Sequence, residues 1–411
     1  MPYLSPGVYV EEIDSGPRPI EAVGTSTAAF VGAAPNPGAH PGEAVAINNW
    51  SQFLREFCRD GDASTDLANA VQGFFLNGGS RCYVVNVKKD DPIAGKGQGL
   101  DVLAPIDEIA IIAAPGRTDA VSHAALLDAA ELAKDRVAIL DGPAQVDDVE
   151  VLTRVAEVGG ASAPSAAAAD AGDGGGGKKP AAAPRGQRPG MRPRQSDGGF
   201  GAFYFPWLRV RDALDPSKIV PAAPSGYMAG LYARTDAERG VHKAPANLSI
   251  RGAVGVTQTL SRAEQDVLNP AGVNCIRFFT REGVRVWGAR TLADSASNWR
   301  YLNVRRLFCM IEESIANATR WVVFEPNDRP LWKDIERDVS RFLTLLYRQG
   351  ALTGASPEEA FFVKCDAETN PPEVVDAGQV VTLIGVAPSK PAEFVVFRIG
   401  QSQAGTSVDA A

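Results

Sequence analysis

The sequence has 411 residues, 45% of them hydrophobic and 22% charged, which is ordinary for a soluble globular protein and predicts two or three domains. Its 41 basic and 49 acidic residues leave a net charge of −8, which argues against a nucleic-acid-binding protein because neutralising phosphates requires a cationic surface. The longest strongly apolar run, at residues 109–114, is far shorter than the ~20 residues of a membrane-spanning helix. The acidic N-terminal stretch does not resemble a signal peptide.

The cysteines and histidines are too few and too scattered to predict a metal site or a disulfide framework. The five cysteines are an odd number, and no two of them lie closer than 24 residues. We expect them to be reduced and buried, as in a cytosolic protein. The three histidines, His40, His123 and His242, are far apart in the sequence. No metal and no cofactor is therefore expected.

Residues 1–22 are expected to form an extended N-terminal arm, because four prolines exclude a helix there. Within the arm lies a short β-prone segment. An isolated terminal strand cannot satisfy its own backbone, so it must pair with another strand of this chain or of a neighbour. The residues of this candidate strand are Val8, Tyr9, Val10, Glu11 and Ile13.

Residues 23–245 alternate between strand and helix signals and predict a central α/β domain with a mostly parallel sheet. Strands are predicted at 26–31, 82–87, 109–113 and 137–140. Helices are predicted to begin at Asn49, at Ser64 or Thr65, and at Thr118, because these residue types cap helix N-termini. A further strand is expected at 203–208 and a further helix at 225–238.

Residues 159–199 interrupt this pattern with a low-complexity insertion rich in glycine, alanine and proline. Between 178 and 194 the segment has six basic residues and no acidic one. Such a composition buries too little apolar surface to offset the entropy of ordering, so we predict a mobile surface loop. It has no interleaved aromatic residues for stacking on bases, which argues against a nucleic-acid-binding role.

Residues 246–390 are predicted to form a second, C-terminal α/β domain. A hairpin is expected at 276–287, followed by two long amphipathic helices whose apolar residues recur at three and four positions. Strands at 361–365 and 379–386 would complete the domain. The remaining 391–411 are predicted to be a C-terminal strand arm and tail, with the strand residues Phe394, Val395, Val396, Phe397 and Ile399.

Motifs for catalysis are weak. Residues 172–178 match most of a phosphate-binding loop, but Lys179 replaces the required serine or threonine and Pro180 occupies the place where a helix should begin. Paired acids such as Asp147 and Asp148 are more simply explained as solvated surface residues than as a general acid–base pair. We expect no enzyme activity, although an α/β nucleotide-binding enzyme remains the alternative.

Several separated stretches resemble the sheath subunits of contractile phage tails and contractile injection systems. They occur in order along nearly the whole chain, and the insertion at 159–199 is the clear departure. The stretches that support the resemblance are Pro6–Glu11, Thr25–Gly32, Ala70–Val85, Gly272–Asn274, Trp287–Leu292, Trp299–Arg306, Val363–Asp366 with Asn370, and Pro391–Phe394.

The resemblance implies a structural subunit that polymerises as stacked hexameric rings around an inner tube and contracts without nucleotide hydrolysis. It also implies that both arms leave their own subunit and complete the sheet of neighbouring C-terminal domains. The implied partners are other copies of the chain, the inner tube protein, and baseplate and terminator or cap proteins, with neither nucleic acid nor membrane insertion. The implied setting is assembly in the cytoplasm as part of a phage tail or a tail-like particle released by lysis. Another tail or baseplate component is a further alternative.

The family resemblance further implies a tube-facing charged helix surface in the C-terminal domain. The best local candidate is the polar face of the helix at 330–349, with Lys333, Arg337 and Arg341. The alternative is that these cations form pairs within the helix, for example with Asp334 or Asp338.

Overall fold

The computed structural model describes residues 19–157 and 189–394. Within these ranges the fold is mixed α/β, as predicted. The strands are β1 (Ala28–Gly32), β2 (Ala44–Ile47), β3 (Cys82–Asn86), β4 (Ala94–Gly95), β5 (Gln98–Gly99), β6 (Ile111–Ala113), β7 (Val137–Asp141), β8 (Gly201–Phe205), β9 (Leu208–Arg211), β10 (Ile219–Ala222), β11 (Ala253–Val256), β12 (Val273–Phe279), β13 (Gly283–Val286), β14 (Phe361–Lys364) and β15 (Leu383–Val386). The helices are α1 (Trp50–Phe57), α2 (Asp66–Leu76), α3 (Ala120–Ala133), α4 (Ser225–Arg239), α5 (Arg262–Leu268), α6 (Leu302–Ala318), α7 (Arg329–Arg348), α8 (Pro357–Ala360) and α9 (Pro372–Asp376).

Eight strands form one large sheet in the order β13-β12-β8-β7-β6-β1-β3-β2. The six inner strands run parallel, while β13 and β2 pair antiparallel and form the two edges. All five residues of β1 are buried, as are all five of β7 and of β8. Continuous apolar strands of this kind are typical of parallel sheets that are covered on both faces.

Local signals position most of the helices as predicted. The side chain of Asn49 accepts a hydrogen bond from the backbone of Gln52, which begins α1, and Thr65 rather than Ser64 caps α2. The predicted cap at Thr118 is wrong by one residue. Asp119 caps α3 instead, since its carboxylate accepts the bond from the Ser122 amide at 2.8 Å.

Helices α2 and α4 approach each other unusually closely because glycines face the contact. A Cβ atom on Gly226 would lie 2.2 Å from the carbonyl oxygen of Ala70, and one on Gly230 would lie 2.4 Å from that of Phe74. Any larger residue at these two positions would push the helices apart.

The predicted hairpin at 276–287 is present as β12 and β13, but it belongs to the large sheet, where β12 pairs with β8. The large sheet therefore includes strands beyond residue 246, the position at which we expected the second domain to begin. The domain boundary at 246 stays a prediction, and it does not coincide with a boundary between sheets. A three-stranded sheet in the order β10-β9-β11, which the sequence analysis did not predict, lies beside α2.

A second hydrophobic core lies between α6, α7 and the sheet formed by β14 and β15. It also takes in Ile20, which precedes β1, and Val241, which follows α4. Helix α6 is shared: Leu302 and Cys309 face the core of the large sheet, whereas Leu307, Met310 and Ile311 face the second core.

Part of the predicted mobile insertion at 159–199 belongs to the folded body, namely residues 189–199. Met191 packs against the main core, and the Arg192 side chain donates to the carbonyl oxygen of Ala271 at 2.6 Å. Arg194 bonds to two carboxylates on α3, those of Asp128 and Glu131. Composition misled here because the basic residues find partners elsewhere in the fold. The rest of the predicted insertion, 159–188, lies outside the described residues.

Candidate inter-subunit strand site

The sheet formed by β14 and β15 has only these two strands within the described residues. Its strands run antiparallel, with Phe361 opposite Val386 and Lys364 opposite Leu383. Two-stranded sheets are marginally stable alone and need support from a helix or from further strands. Helix α7 packs against β14 and supplies support on one face.

Both edges of this sheet have outward-facing backbone groups. The Ala387 amide donates to the carbonyl oxygen of Ala360 at 2.8 Å, which sets the alternation of the ladder. By that alternation Val363 and Ile384 turn their N–H and C=O groups away from the partner strand. Neither amide meets a backbone acceptor among residues 19–157 and 189–394. The sheet can therefore accept another strand on either side.

The two faces of the sheet differ in how far their side chains are buried. Val363 and Ile384 pack their side chains against the second core. On the opposite face Phe362 and Leu383 are each 53% exposed. The Phe362 ring lies over Gly385, where a Cβ atom would come within 2.2 Å of it. Half-exposed apolar side chains beside open edges are typical of a surface that binds another chain.

The predicted strand arms can be located only where they leave the described body. Val8, Tyr9, Val10, Glu11 and Ile13 lie outside the described residues, as do Val395, Val396, Phe397 and Ile399. Phe394 is described and is 73% exposed.

The first described residues of the N-terminal segment attach to the second core. Ile20 is buried there, and the Val23 amide donates to the hydroxyl of Ser314 on α6 at 3.0 Å. The chain then enters β1 of the large sheet. The expected arm at 1–22 therefore begins from a fixed point on α6.

The three predicted tube-facing cations are all exposed on α7, but two of them have partners within the helix. Lys333 pairs with Glu336 at 2.5 Å, and Arg337 pairs with Asp334 at 2.6 Å and Asp338 at 3.1 Å. Arg341 has no ion-pair partner among the described carboxylates. Of the three, Arg341 therefore remains available for a partner.

The carboxyl ends of the parallel strands are where an open α/β sheet would bind a nucleotide. Here the N-terminus of α4 fills that position. The carboxylate of Asp141, at the end of β7, accepts bonds from the Ser225 amide at 2.8 Å and from the Ser225 hydroxyl at 2.7 Å. It also accepts from the Gly116 amide at 3.1 Å. Polar groups that could receive a phosphate are thus already bonded to one another.

This cluster is a buried titratable site that sequence reasoning missed. Burial raises the pKa of Asp141 to about 7, against the hydrogen bonds from Ser225 and Gly116 that lower it. Burial lowers the pKa of the neighbouring His123 to about 4. The His123 ring lies 3.1 Å from the carbonyl oxygen of Asp141. The two groups are separated by 18 residues, and no spacing motif pairs them.

Residues 19–157 and 189–394 hold neither a cluster of metal ligands nor a membrane-spanning helix. No group of three or more potential metal ligands comes together there. None of the helices in that part of the chain is both long and apolar enough to span a bilayer.

Two family models match consecutive parts of the chain. The model of the phage tail sheath protein central domain matches residues 210–292, and that of the phage tail sheath C-terminal domain matches residues 294–402. Among curated relatives, the tail sheath protein of Vibrio phage KVP40 is 31% identical over 199 residues, covering 48% of this chain and 28% of its own length. The tail sheath protein of Salmonella phage ViI is 30% identical over 187 residues, covering 44% of this chain and 28% of its own. The chain thus spans about a quarter to a half of the length of the curated relatives it matches.

Solved structures match over almost the entire chain. The sheath of an extracellular contractile injection system, PVC, in its contracted state is 27% identical with a TM-score of 0.75, covering 98% of this chain and 99% of that one. The contracted helical sheath of the anti-feeding prophage is 29% identical with a TM-score of 0.71, covering 97% and 99%. A sheath tail protein from Desulfitobacterium hafniense shares the fold at 12% identity and a TM-score of 0.56. These families consist of structural proteins rather than enzymes. From the two consecutive domain matches and the full-length likeness to solved sheaths, we conclude that this chain belongs to the contractile tail sheath family.

Proposed function

We propose that the protein is a structural subunit of a contractile sheath in a phage tail or tail-like injection particle. In this proposal it polymerises as stacked hexameric rings around an inner tube and contracts to drive the tube through a target envelope. The observation that supports it best is the open sheet of β14 and β15, in which Val363 and Ile384 turn their backbone N–H and C=O groups outward. A neighbouring copy would supply the missing strands.

Strand addition is the physical basis of the assembly. The arm segments 8–13 and 394–399 are β-prone, and each would add main-chain hydrogen bonds worth roughly 0.5–1.5 kcal/mol apiece. A donated strand links one subunit to another without closing on itself, which generates a helical lattice. Such a mesh can persist while the bodies of the subunits rotate and repack. The likeness to sheaths solved in a contracted state supports this proposal.

Contraction in this proposal needs no nucleotide. Energy would be stored at assembly and released as the subunits pass between two packings. The closure of the nucleotide position by Ser225 and Asp141 supports the absence of hydrolysis. It also disfavours the alternative of a nucleotide-binding enzyme.

The remaining partners follow the same proposal. The inner tube would face the polar side of α7, with Arg341 as the available cation beside Lys333 and Arg337. Baseplate and terminator or cap proteins would bind the ends of the sheath, and neither nucleic acid nor membrane insertion is involved. Assembly would take place in the cytoplasm, and lysis would release the particle.

Deletion of residues 1–18 tests the proposal directly. The deletion stops before Ile20, so the buried contact of that residue with the second core is kept. We expect a folded monomer with an unchanged circular dichroism spectrum that forms no tubes with the inner tube protein in negative-stain electron microscopy. The full-length chain should form them under the same conditions.

Replacement of residues 158–188 by a short Gly-Ser linker is the control, because it removes a longer segment from a different part of the chain. This variant should assemble like the full-length chain. Tubes formed by the 1–18 deletion, or none formed by the full-length chain, would overturn the proposal.

A further inference from the structure

Where each arm joins the body, a largely buried arginine–carboxylate pair lies beside the first turns of α6. On the C-terminal side, Arg290 forms two parallel bonds with the carboxylate of Glu393, at 2.9 and 2.7 Å. The Arg290 side chain is 10% exposed and that of Glu393 is 20% exposed. Bidentate pairs of this kind fix orientation as well as distance.

Further donors fix the carboxylate of Glu393. The Asn269 amide donates to it at 2.7 Å and the Tyr301 hydroxyl at 3.2 Å, and Tyr301 directly precedes α6. Burial favours the neutral acid, but the bonds from Arg290 and Asn269 outweigh it and hold the pKa of Glu393 below its ordinary value. The carboxylate is therefore charged when the arm is in place.

Arg290 is itself held by the large sheet. Its backbone amide donates to the side-chain oxygen of Asn274 at 2.7 Å, and its carbonyl oxygen accepts from the Asn274 amide at 2.8 Å. Asn274 is fully buried on β12. One residue beyond Glu393, Phe394 is 73% exposed. The last firm attachment of the described C-terminal segment is therefore this pair.

The N-terminal root has the same construction. Arg306, on α6, bonds to both carboxylate oxygens of Asp236 at 2.9 and 2.6 Å and also donates to the carbonyl oxygen of Thr25 at 2.9 Å. The Thr25 hydroxyl donates to the same carboxylate at 2.6 Å. The side chains of Arg306 and Asp236 are 3% and 8% exposed.

We propose that Arg290 and Arg306 are positioning residues that fix where the two arms leave the body, so that each arm reaches the open sheet of a second copy. Buried ion pairs are weak evidence of a purely stabilising role, because apolar replacements are often as stable. In this proposal the two pairs fix the positions, on either side of α6, at which the arms leave the body. A force on either arm is then transmitted to α6 rather than to the small sheet of β14 and β15. This inference rests on the proposed sheath function.

The test compares Glu393→Gln with Glu131→Gln. Glu131, on α3, is a matched control because it accepts two bonds from Arg194, at 3.1 and 2.8 Å, and one from Ser196 at 2.6 Å. Both variants should lose a similar few degrees in Tm. We expect Glu393→Gln alone to raise the protein concentration needed for tube assembly about tenfold or more, as the loss of one charge-assisted pair suggests. Thr25→Val should act in the same direction.

A second measurement applies to the monomer. Hydrogen exchange of the peptide containing residues 391–394 should become faster in Glu393→Gln and stay unchanged in Glu131→Gln. If Glu393→Gln does not fold, Tyr301→Phe removes one bond to the same carboxylate and replaces it in both assays. Assembly of the Glu393 variant at the wild-type concentration, or an equal defect in the Glu131 variant, would overturn the inference. Absence of tubes from the wild-type chain with its tube protein would instead overturn the proposed function and the inference with it.

Discussion

The large sheet and the small sheet of this protein are built by opposite rules. In the large sheet β1 is buried at every residue and pairs on both sides, and antiparallel strands form both edges. In the small sheet, β14 and β15 pair only with each other among the described strands, and one face keeps half-exposed Phe362 and Leu383. One region completes its pairing within the described residues, and the other, in the proposed assembly, is completed by a neighbour. In that proposal the difference separates what folds the subunit from what joins subunits.

The same substitution in the two regions should therefore have very different effects on the monomer. Phe30→Ala removes a fully buried ring that lies 5.6 Å from Phe74, edge to face, and should lower the free energy of unfolding by about 3–5 kcal/mol. Phe362→Ala, at a 53% exposed position, should cost less than about 1 kcal/mol. Urea unfolding of the two variants measures both. Equal losses would show that the small sheet is as self-sufficient as the large one.

A proline substitution sharpens the contrast from the assembly side. Val363→Pro removes an outward-facing N–H from an edge strand, where proline is tolerated, and prevents an incoming strand from using it. Val363→Ala is the matched control, since it shortens the same side chain and keeps the N–H. We expect similar monomer stability, within about 1 kcal/mol, but tube formation only by the alanine variant.

The second edge has its own pair of variants, Ile384→Pro and Ile384→Ala. At least one of the two prolines should abolish tubes in electron microscopy while its alanine partner retains them. Normal assembly of both proline variants would exclude strand addition at this sheet.

Most of the fold was predictable because its signals are local. The apolar strands, the caps at Asn49 and Thr65, and the spacing of α6 and α7 are all encoded within short windows. The site was less predictable because its decisive pairs join distant residues, such as Arg290 with Glu393, 103 positions apart. Composition alone also misassigned 189–199, where Arg194 finds carboxylates on α3.

The boundary between the two regions shows the same limit. The hairpin of β12 and β13 was predicted correctly from its turn, but nothing local reveals that it joins β8 rather than the strands that follow it. Partner choice in a sheet depends on the whole topology. For that reason strand positions were better predicted than strand neighbours.

The smallest expected effect is a pH dependence that arises from a buried cluster in the large sheet. The pKa of Asp141 is about 7 in the fold, above its ordinary value of 3.8, so the folded state binds more protons and this group lowers stability as the pH rises from 4 to 7. His123, with a pKa lowered to about 4 from 6.5, acts in the opposite direction over the same range, and the nearby Asp66 has a raised pKa because it is buried. His123 therefore offsets part of the contribution of Asp141 to the wild-type profile.

Asp141→Asn removes one of these opposing contributions. The stability of the variant should rise relative to wild type between pH 4 and pH 7, measured by urea unfolding at several pH values. Glu368→Gln is the control in the other region, because its pair with Lys364 beside the small sheet is exposed and should leave the profile unchanged. A variant profile parallel to that of wild type would show that Asp141 does not titrate in this range. Since Asp141 joins β7 to the start of α4, a change in slope would locate this pH response within the large sheet rather than at the sheet of β14 and β15.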